Sequence, residues 1–246
     1  MVRLIDCVEA VAFDLDGTLI DTAPDLAAAA NSMLWILGGR PLPEHRVAAL
    51  IGDGVDPFVA RVLEESGGAS NLYATRQSWA GVLFRNLYEQ DLFARGRVFP
   101  GVTQTLEALE NAELPLCCIT NKESRFALPL LAAAGLRERF PVTVCADRPK
   151  DRKPSPNMLL AACRQLGVEP ENLLYIGDAP ADIAAARAAR CCVVAVTYGY
   201  GDHDVLAAAR PDGLLGDLTK ITSIRLRPPC ESLNDAGRSW PAARRP

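Results

Sequence analysis

The sequence predicts an α/β protein with a doubly wound parallel sheet and a helical domain inserted after the first strand. Three observations carry this. Five short apolar runs are near-continuous rather than alternating, as strands covered on both faces are. Apolar residues at helical spacing fall between the later runs, so strand and helix alternate. The stretch after the first run is far longer than one crossover helix needs, and its apolar pattern is helical throughout.

The first run is Val8 to Phe13. After it, Leu26, Ala30, Met33 and Leu37 share a helical face, with Thr22 at the N-cap and Pro24 and Asp25 in the first turn. Val55, Phe58, Val59, Val62 and Leu63 follow the same spacing, and a third helix is expected from Asn71 to Gln90. Residues 21–95 are therefore expected to form a separate helical domain, with hinges near Ile20-Asp21 and Arg95-Gly96. The α/β core is then discontinuous, 1–20 and 96–227. Its other strands are Leu114 to Ile119, Val142 to Cys145, Leu173 to Ile176 and Cys192 to Val196. Val102, Leu106 and Leu109 mark one helix between them, and Leu159, Ala162 and Leu166 another. From Pro228 the chain is rich in Pro and Arg, and residues 228–246 are expected to be a disordered tail.

Composition narrows the function. Of 246 residues, 49% are hydrophobic and 23% charged, which suits a packed core rather than disorder. A net charge of −4 argues against nucleic acid or an anionic membrane as partner. Met1 to Ala12 lacks the apolar region of a secretion signal, and no stretch is long enough to span a bilayer, so a cytoplasmic protein is expected. There are eight cysteines and two histidines. No C-x-x-C pair occurs, which argues against zinc. Cys117-Cys118 and Cys191-Cys192 sit in apolar runs, where neighbours face opposite ways, and read as buried thiols.

The chemistry lies at the strand ends, where open α/β sheets bind ligands. The first strand ends in Asp14-Leu15-Asp16-Gly17-Thr18 and the second in Thr120-Asn121-Lys122. The third leads to Asp147 and then Arg152-Lys153-Pro154, and the fourth ends in Gly177-Asp178, with Asp182 on the next turn. Any one of these is an ordinary turn sequence. All four together bring carboxylates, a hydroxyl, an amide and an ammonium to one edge.

Asp14, Asp16 and Asp178 crowded together would repel unless a cation neutralised them. Oxygen ligands with open positions suit Mg2+, which also accepts a phosphate oxygen. Lys153 adds positive charge, and Thr120 and Asn121 add directed hydrogen bonds for a transferring phosphoryl group. A carboxylate nucleophile splits ester hydrolysis into two steps. A second carboxylate two residues on can carry the proton in both.

These motifs resemble, in order and spacing, those of the haloacid dehalogenase-like superfamily of aspartate-nucleophile phosphatases. The resemblance covers roughly residues 8 to 222: Asp14-Leu15-Asp16-Gly17-Thr18-Leu19, Thr120-Asn121, Lys153-Pro154-Ser155-Pro156 and Gly177-Asp178 with Asp182. It implies a Rossmann-like core in which Asp14 is the nucleophile and a Mg2+ ligand. Asp16 is then the general acid and base, with its backbone carbonyl on the metal. Thr120 and Lys153 hold the phosphoryl group, Asp178 ligates Mg2+, and Asp182 orients Lys153 or a metal-bound water. Thr18 is expected to support the nucleophile loop or its turn. The helical domain becomes a mobile cap that excludes water and selects the substrate.

Within the superfamily the chain is most similar to bacterial phosphoglycolate phosphatases, in Ile51-Gly52-Asp53-Gly54, Phe99-Pro100-Gly101-Val102, Thr120-Asn121-Lys122 and Thr197-Tyr198-Gly199-Tyr200-Gly201. It departs from them at Ala179-Pro180-Ala181, where relatives usually carry Ser and Asn. It departs also at Cys145-Ala146, in place of Gly-Gly, and at Arg190, where a helix-ending Gly is expected.

The substrate is expected to be a small phosphorylated metabolite, 2-phosphoglycolate above all. Gly52, Asp53 and Gly54 are candidates to approach it through backbone, and Arg61 to meet its carboxylate. A phosphatase for another small ester, such as a sugar phosphate, would use the same catalytic residues. A phosphomutase relative would use a cap lysine, and no Lys precedes Lys122. A non-catalytic binding relative would lack Asp14 or Asp16, and both are present. A monomer and a homodimer fit equally.

Overall fold

A computed structural model describes residues 2–3, 8–67, 71–223 and 225–226. The expected tail, Cys7 and Cys230 lie outside the described residues. In chain order the elements begin with β1 (Val2–Arg3), β2 (Ala10–Phe13) and β3 (Ile20–Asp21). Four helices follow: α1 (Ala23–Ile36), α2 (Glu44–Ala48), α3 (Val55–Glu65) and α4 (Asn71–Gln90). Then come β4 (Arg97–Val98), α5 (Val102–Asn111), β5 (Leu116–Thr120), α6 (Ser124–Ala133) and β6 (Val142–Cys145). The rest are α7 (Asn157–Leu166), β7 (Leu173–Gly177), α8 (Pro180–Ala189), β8 (Cys192–Val196), α9 (His203–Ala208), β9 (Gly213–Leu215) and β10 (Arg225–Leu226).

The central sheet is parallel, in the order β6-β5-β2-β7-β8-β9. The chain leaves β2 toward β5 on one side and β7 on the other, which opens a crevice at the carboxyl ends of all three. Period-two alternation sends Val11 and Phe13 to one face and Ala10 and Ala12 to the other. The larger side chains pack against Leu106 and Leu109 of α5 and Leu130 and Leu131 of α6. The alanines meet Ala185, Ala186 and Ala189 of α8, small against small. Cys117 and Cys118 divide between the two faces as expected.

Two strand limits differ from the sequence pattern. The first begins at Ala10 rather than Val8, and the second at Leu116 rather than Leu114. Pro115 has no N–H for the ladder, though its carbonyl still accepts from Val11. The three-residue β9 and five-residue α2 are too short to leave a periodic signal.

Helices α1 to α4 form an insert between β3 and β4. Those two strands pair antiparallel, Ile20 with Val98 and Asp21 with Arg97, so the insert leaves and rejoins the core at one place. It has its own apolar centre, with Met33, Leu34, Phe58, Val62, Phe84 and Tyr88 buried; Phe126 of α6 belongs to the same cluster. No helix among the described residues is long and apolar enough to cross a membrane.

Thr22 does stand at the N-cap of α1, but its side chain caps nothing there. The hydroxyl of Tyr200 does that work, accepting from the N–H groups of Thr22 (2.7 Å) and Ala23 (2.9 Å) and donating to Asp21 (3.0 Å). Arg190 ends α8 at φ 66°, the left-handed conformation that glycine would adopt more readily.

Candidate active site

The end of β2 turns sharply at Gly17, whose φ is +83°. A Cβ there would lie 2.2 Å from Asp178 Oδ2, and one on Gly199 would lie 2.4 Å from the same oxygen. Both glycines are needed to admit this carboxylate. Asp178, at the end of β7, accepts from Thr18 Oγ1 at 3.0 Å and from the Tyr200 N–H at 2.8 Å. Thr18 thus braces Asp178 from the loop that carries Asp14.

Lys153 reaches the site from the loop after β6. Its ammonium lies 2.8 Å from Asp14 Oδ1 and 2.7 Å from Asp182 Oδ1. It also donates to the Tyr175 hydroxyl at 2.8 Å, and that hydroxyl donates to Asp182 Oδ1 at 2.9 Å. Burial alone would lower the pKa of Lys153, but Asp14 and Asp182 outweigh it and hold the group charged. Asn121 fixes the loop, accepting from the Lys153 N–H at 2.7 Å and donating to the Lys153 carbonyl at 3.2 Å. The Asn121 amide also donates to the Gly52 carbonyl of the insert at 2.8 Å. Thr120 Oγ1 accepts from the Lys122 N–H at 3.1 Å, which leaves its proton for the cavity that it lines.

Asp14, Asp178 and Asp182 are buried, and one oxygen from each lies within 4.8 Å of the others. Burial, with help from Asp182 and Asp16 and against Lys153, pushes the Asp14 carboxyl up to about 7. Burial, Asp14 and Asp182 push Asp178 well above the usual range. Asp14 Oδ1 pairs with Lys153 but receives no well-directed hydrogen bond among the described residues. Repelling carboxylates and an under-satisfied buried oxygen fit a cation with a preference for oxygen ligands. The oxygens of Asp182 are engaged by Lys153, by Tyr175 and by the Ala179 N–H at 2.9 Å, and those of Asp178 by Thr18 and the Tyr200 N–H. The main-chain bond at Ala179 also shows that Ala179-Pro180-Ala181 leaves Asp182 held in place.

The side chain of Asp16 faces the insert. Thr22 Oγ1 donates to its Oδ1 at 2.6 Å, and Lys122 Nζ lies 2.8 and 3.0 Å from its two oxygens. The Lys122 ammonium also sits over the Tyr88 ring of α4, 4.9 Å from its centroid. The sequence assigns no site role to Lys122, Thr22, Tyr175 or Tyr200. Lys122 and Tyr200 lie within stretches that carry the resemblance, while Tyr175 sits in an apolar strand and carries no signal.

A cavity of about 340 Å³ joins these groups to the insert. Gly52 and Gly54 line it. Asp53 and Arg61 do not, which corrects the expectation that Arg61 meets a substrate carboxylate. Its guanidinium turns back along α3 to Asp53 (2.6 Å) and the Leu50 carbonyl (2.7 Å), since a nearby carboxylate at the start of its own helix is the closer anion.

Comparison with known proteins agrees with this geometry. The family model for haloacid dehalogenase-like hydrolases matches residues 8–190. The chain is 42% identical over 203 residues to a phosphoglycolate phosphatase of Chromobacterium violaceum, covering 82% of this chain and 90% of that one. It is 40% identical over 222 residues to one of Neisseria meningitidis, covering 88% and 93%. A crystal structure from Haemophilus somnus, titled a predicted phosphoglycolate phosphatase, superposes with a TM-score of 0.83 at 31% identity, over 88% of this chain and 97% of that one. With four strand-end motifs converging on one cavity, and a match this long, the chain belongs to the haloacid dehalogenase-like hydrolases.

Proposed function

We propose that this phosphatase hydrolyses 2-phosphoglycolate to glycolate and phosphate with Mg2+, through an aspartyl-phosphate on Asp14. The contact between Asp14 and Lys153 is the observation that carries the reading: an attacking carboxylate and a phosphate-binding cation at 2.8 Å, at the floor of a cavity. The names of the relatives support the choice of substrate.

Mg2+ would be held by Asp14, by Asp178 and by the main-chain carbonyl of Asp16, and supplies charge neutralisation for the carboxylates and the phosphoryl oxygens. A carboxylate oxygen of Asp14 forms a bond to phosphorus as the ester P–O bond breaks. Asp16 gives its proton to the departing alkoxide. Asp16 then takes a proton from water, whose oxygen bonds to phosphorus and releases Asp14. Lys153 and Thr120 direct hydrogen bonds at the phosphoryl oxygens throughout. Asp182 and Tyr175 keep Lys153 aimed. The insert, residues 21–95, acts as the cap: it closes the cavity against water, and its loop at Gly52-Asp53-Gly54 bears on selection.

The test is phosphate release from a panel of phosphate monoesters, sugar phosphates included, with Mg2+ and with EDTA. Phosphoglycolate is expected to be turned over fastest, and EDTA to stop turnover. No release from any ester in Mg2+ refutes the catalytic reading. A sugar phosphate turned over far faster refutes the substrate alone.

A further inference from the structure

We infer that Lys122 is the group that receives the carboxylate of the substrate; this rests on the phosphoglycolate reading above. A substrate with an anion beside its phosphate needs a second cation in the cavity. Among the described residues that line it, the cations are Lys122 and Lys153. Lys153 is committed between Asp14 and Asp182. Arg61 is turned away onto Asp53. Lys122 is left, with only 7% of its surface exposed.

Its surroundings explain how it could discriminate. The ammonium now faces the Asp16 carboxylate at 2.8 Å and the Tyr88 ring. To reach the leaving oxygen, Asp16 must let go of at least one of its present partners. Donors on Lys122 then open toward the cavity, which Leu26, Phe58 and Phe84 also line. A substrate carboxylate takes the place of Asp16. An ester without that carboxylate leaves a buried ammonium against hydrocarbon, which penalises the wrong substrate more than it rewards the right one. Lys122 is thus a specificity-determining residue, and one ammonium serves the proton carrier and the substrate in turn.

The experiment compares kcat/KM for 2-phosphoglycolate and for 2-hydroxyethyl phosphate, which replaces the carboxylate with a neutral alcohol. Wild type is expected to prefer phosphoglycolate by ~100-fold or more. Lys122→Met is expected to lower activity on both esters and to shrink the preference to within ~3-fold. Lys122→Arg keeps a cation and is expected to retain most of it. Competitive inhibition by inorganic phosphate, which carries no carboxylate, reports a folded site in each variant. If Lys122→Met fails that control, Lys122→Gln is read in its place. A variant that lowers both esters by one factor, with the preference intact, overturns the inference and leaves Lys122 as a support for Asp16. A wild type that turns over both esters without preference overturns it together with the phosphoglycolate reading, while leaving the phosphatase standing.

Discussion

The sheet edge brings five carboxylates (Asp14, Asp16, Asp178, Asp182 and Asp202) and two ammonium groups to the cavity, whereas the insert brings Leu26, Val55, Phe58, Phe84 and the backbone of Gly52 and Gly54. The first wall is charged, and its central residues are cross-linked by hydrogen bonds at 2.7–3.2 Å within the core. The second is mostly hydrocarbon. Preorganised charge in a dry setting is what phosphoryl transfer requires, and hydrocarbon is what keeps the setting dry. On the proposed function, the sheet edge sets the rate and the insert selects, with Lys122 and Asn121 at the seam.

Removing the nucleophile should have the largest effect. Asp14→Asn is expected to cut kcat by at least ~10,000-fold, because an amide in place of the proposed nucleophile cannot form the acyl phosphate. Activity near wild type would show that Asp14 is not the nucleophile. The same variant tests the electrostatics. The folded-state pKa of Asp14 is raised, chiefly by burial, from 3.8 to about 7. The proton therefore binds the folded state more tightly than the unfolded one. Its stabilising effect is complete below the unfolded pKa and is lost as pH rises through about 7. In EDTA, thermal unfolding should show wild type losing stability between pH 5 and pH 8 relative to Asp14→Asn. A constant difference between the two across that range would refute the shift.

On the insert wall the expected effect is smaller and of another kind. Gly54 has φ +87°, and a Cβ there would lie 2.9 Å from the Arg152 guanidinium. Gly54→Val should displace the loop that faces the substrate, raising KM by roughly tenfold and reordering an ester panel, with kcat changed less. An unchanged ranking would show that this loop does not select.

The smallest effect is expected at the hinge. Tyr200→Phe removes the acceptor of two N–H groups at the start of α1 and the donor to Asp21. The loss should cost about 1–3 kcal/mol and lower the melting temperature by several degrees. Because the Tyr200 N–H to Asp178 remains, kcat should stay within about threefold of wild type. A large fall in kcat with no change in melting temperature would place Tyr200 in the chemistry and blur the division between the walls.

Strand-end motifs and apolar periodicity are local properties of the chain, and they carried most of the fold. Five of the six strands of the central sheet, the long helices of the insert and the clustering of Asp14, Asp178, Lys153 and Asp182 were legible from residue order alone. The corrections concern partners rather than positions. Arg61 found Asp53, eight residues away, instead of the cavity. Thr22, placed as a helix cap, gave its hydroxyl to Asp16 because Tyr200, 178 residues on, had taken over the cap. Lys122 met Asp16 across 106 residues, and Tyr175 joined Lys153 to Asp182 from inside an apolar strand. A side chain bonds to the nearest complementary group in space, and for these residues the nearest group is set by how the chain doubles back on itself. Residue order determined the reaction that the chain is equipped for. Tertiary structure alone decided which groups hold Asp16 and Lys153 in place, and which cation is left to face the substrate.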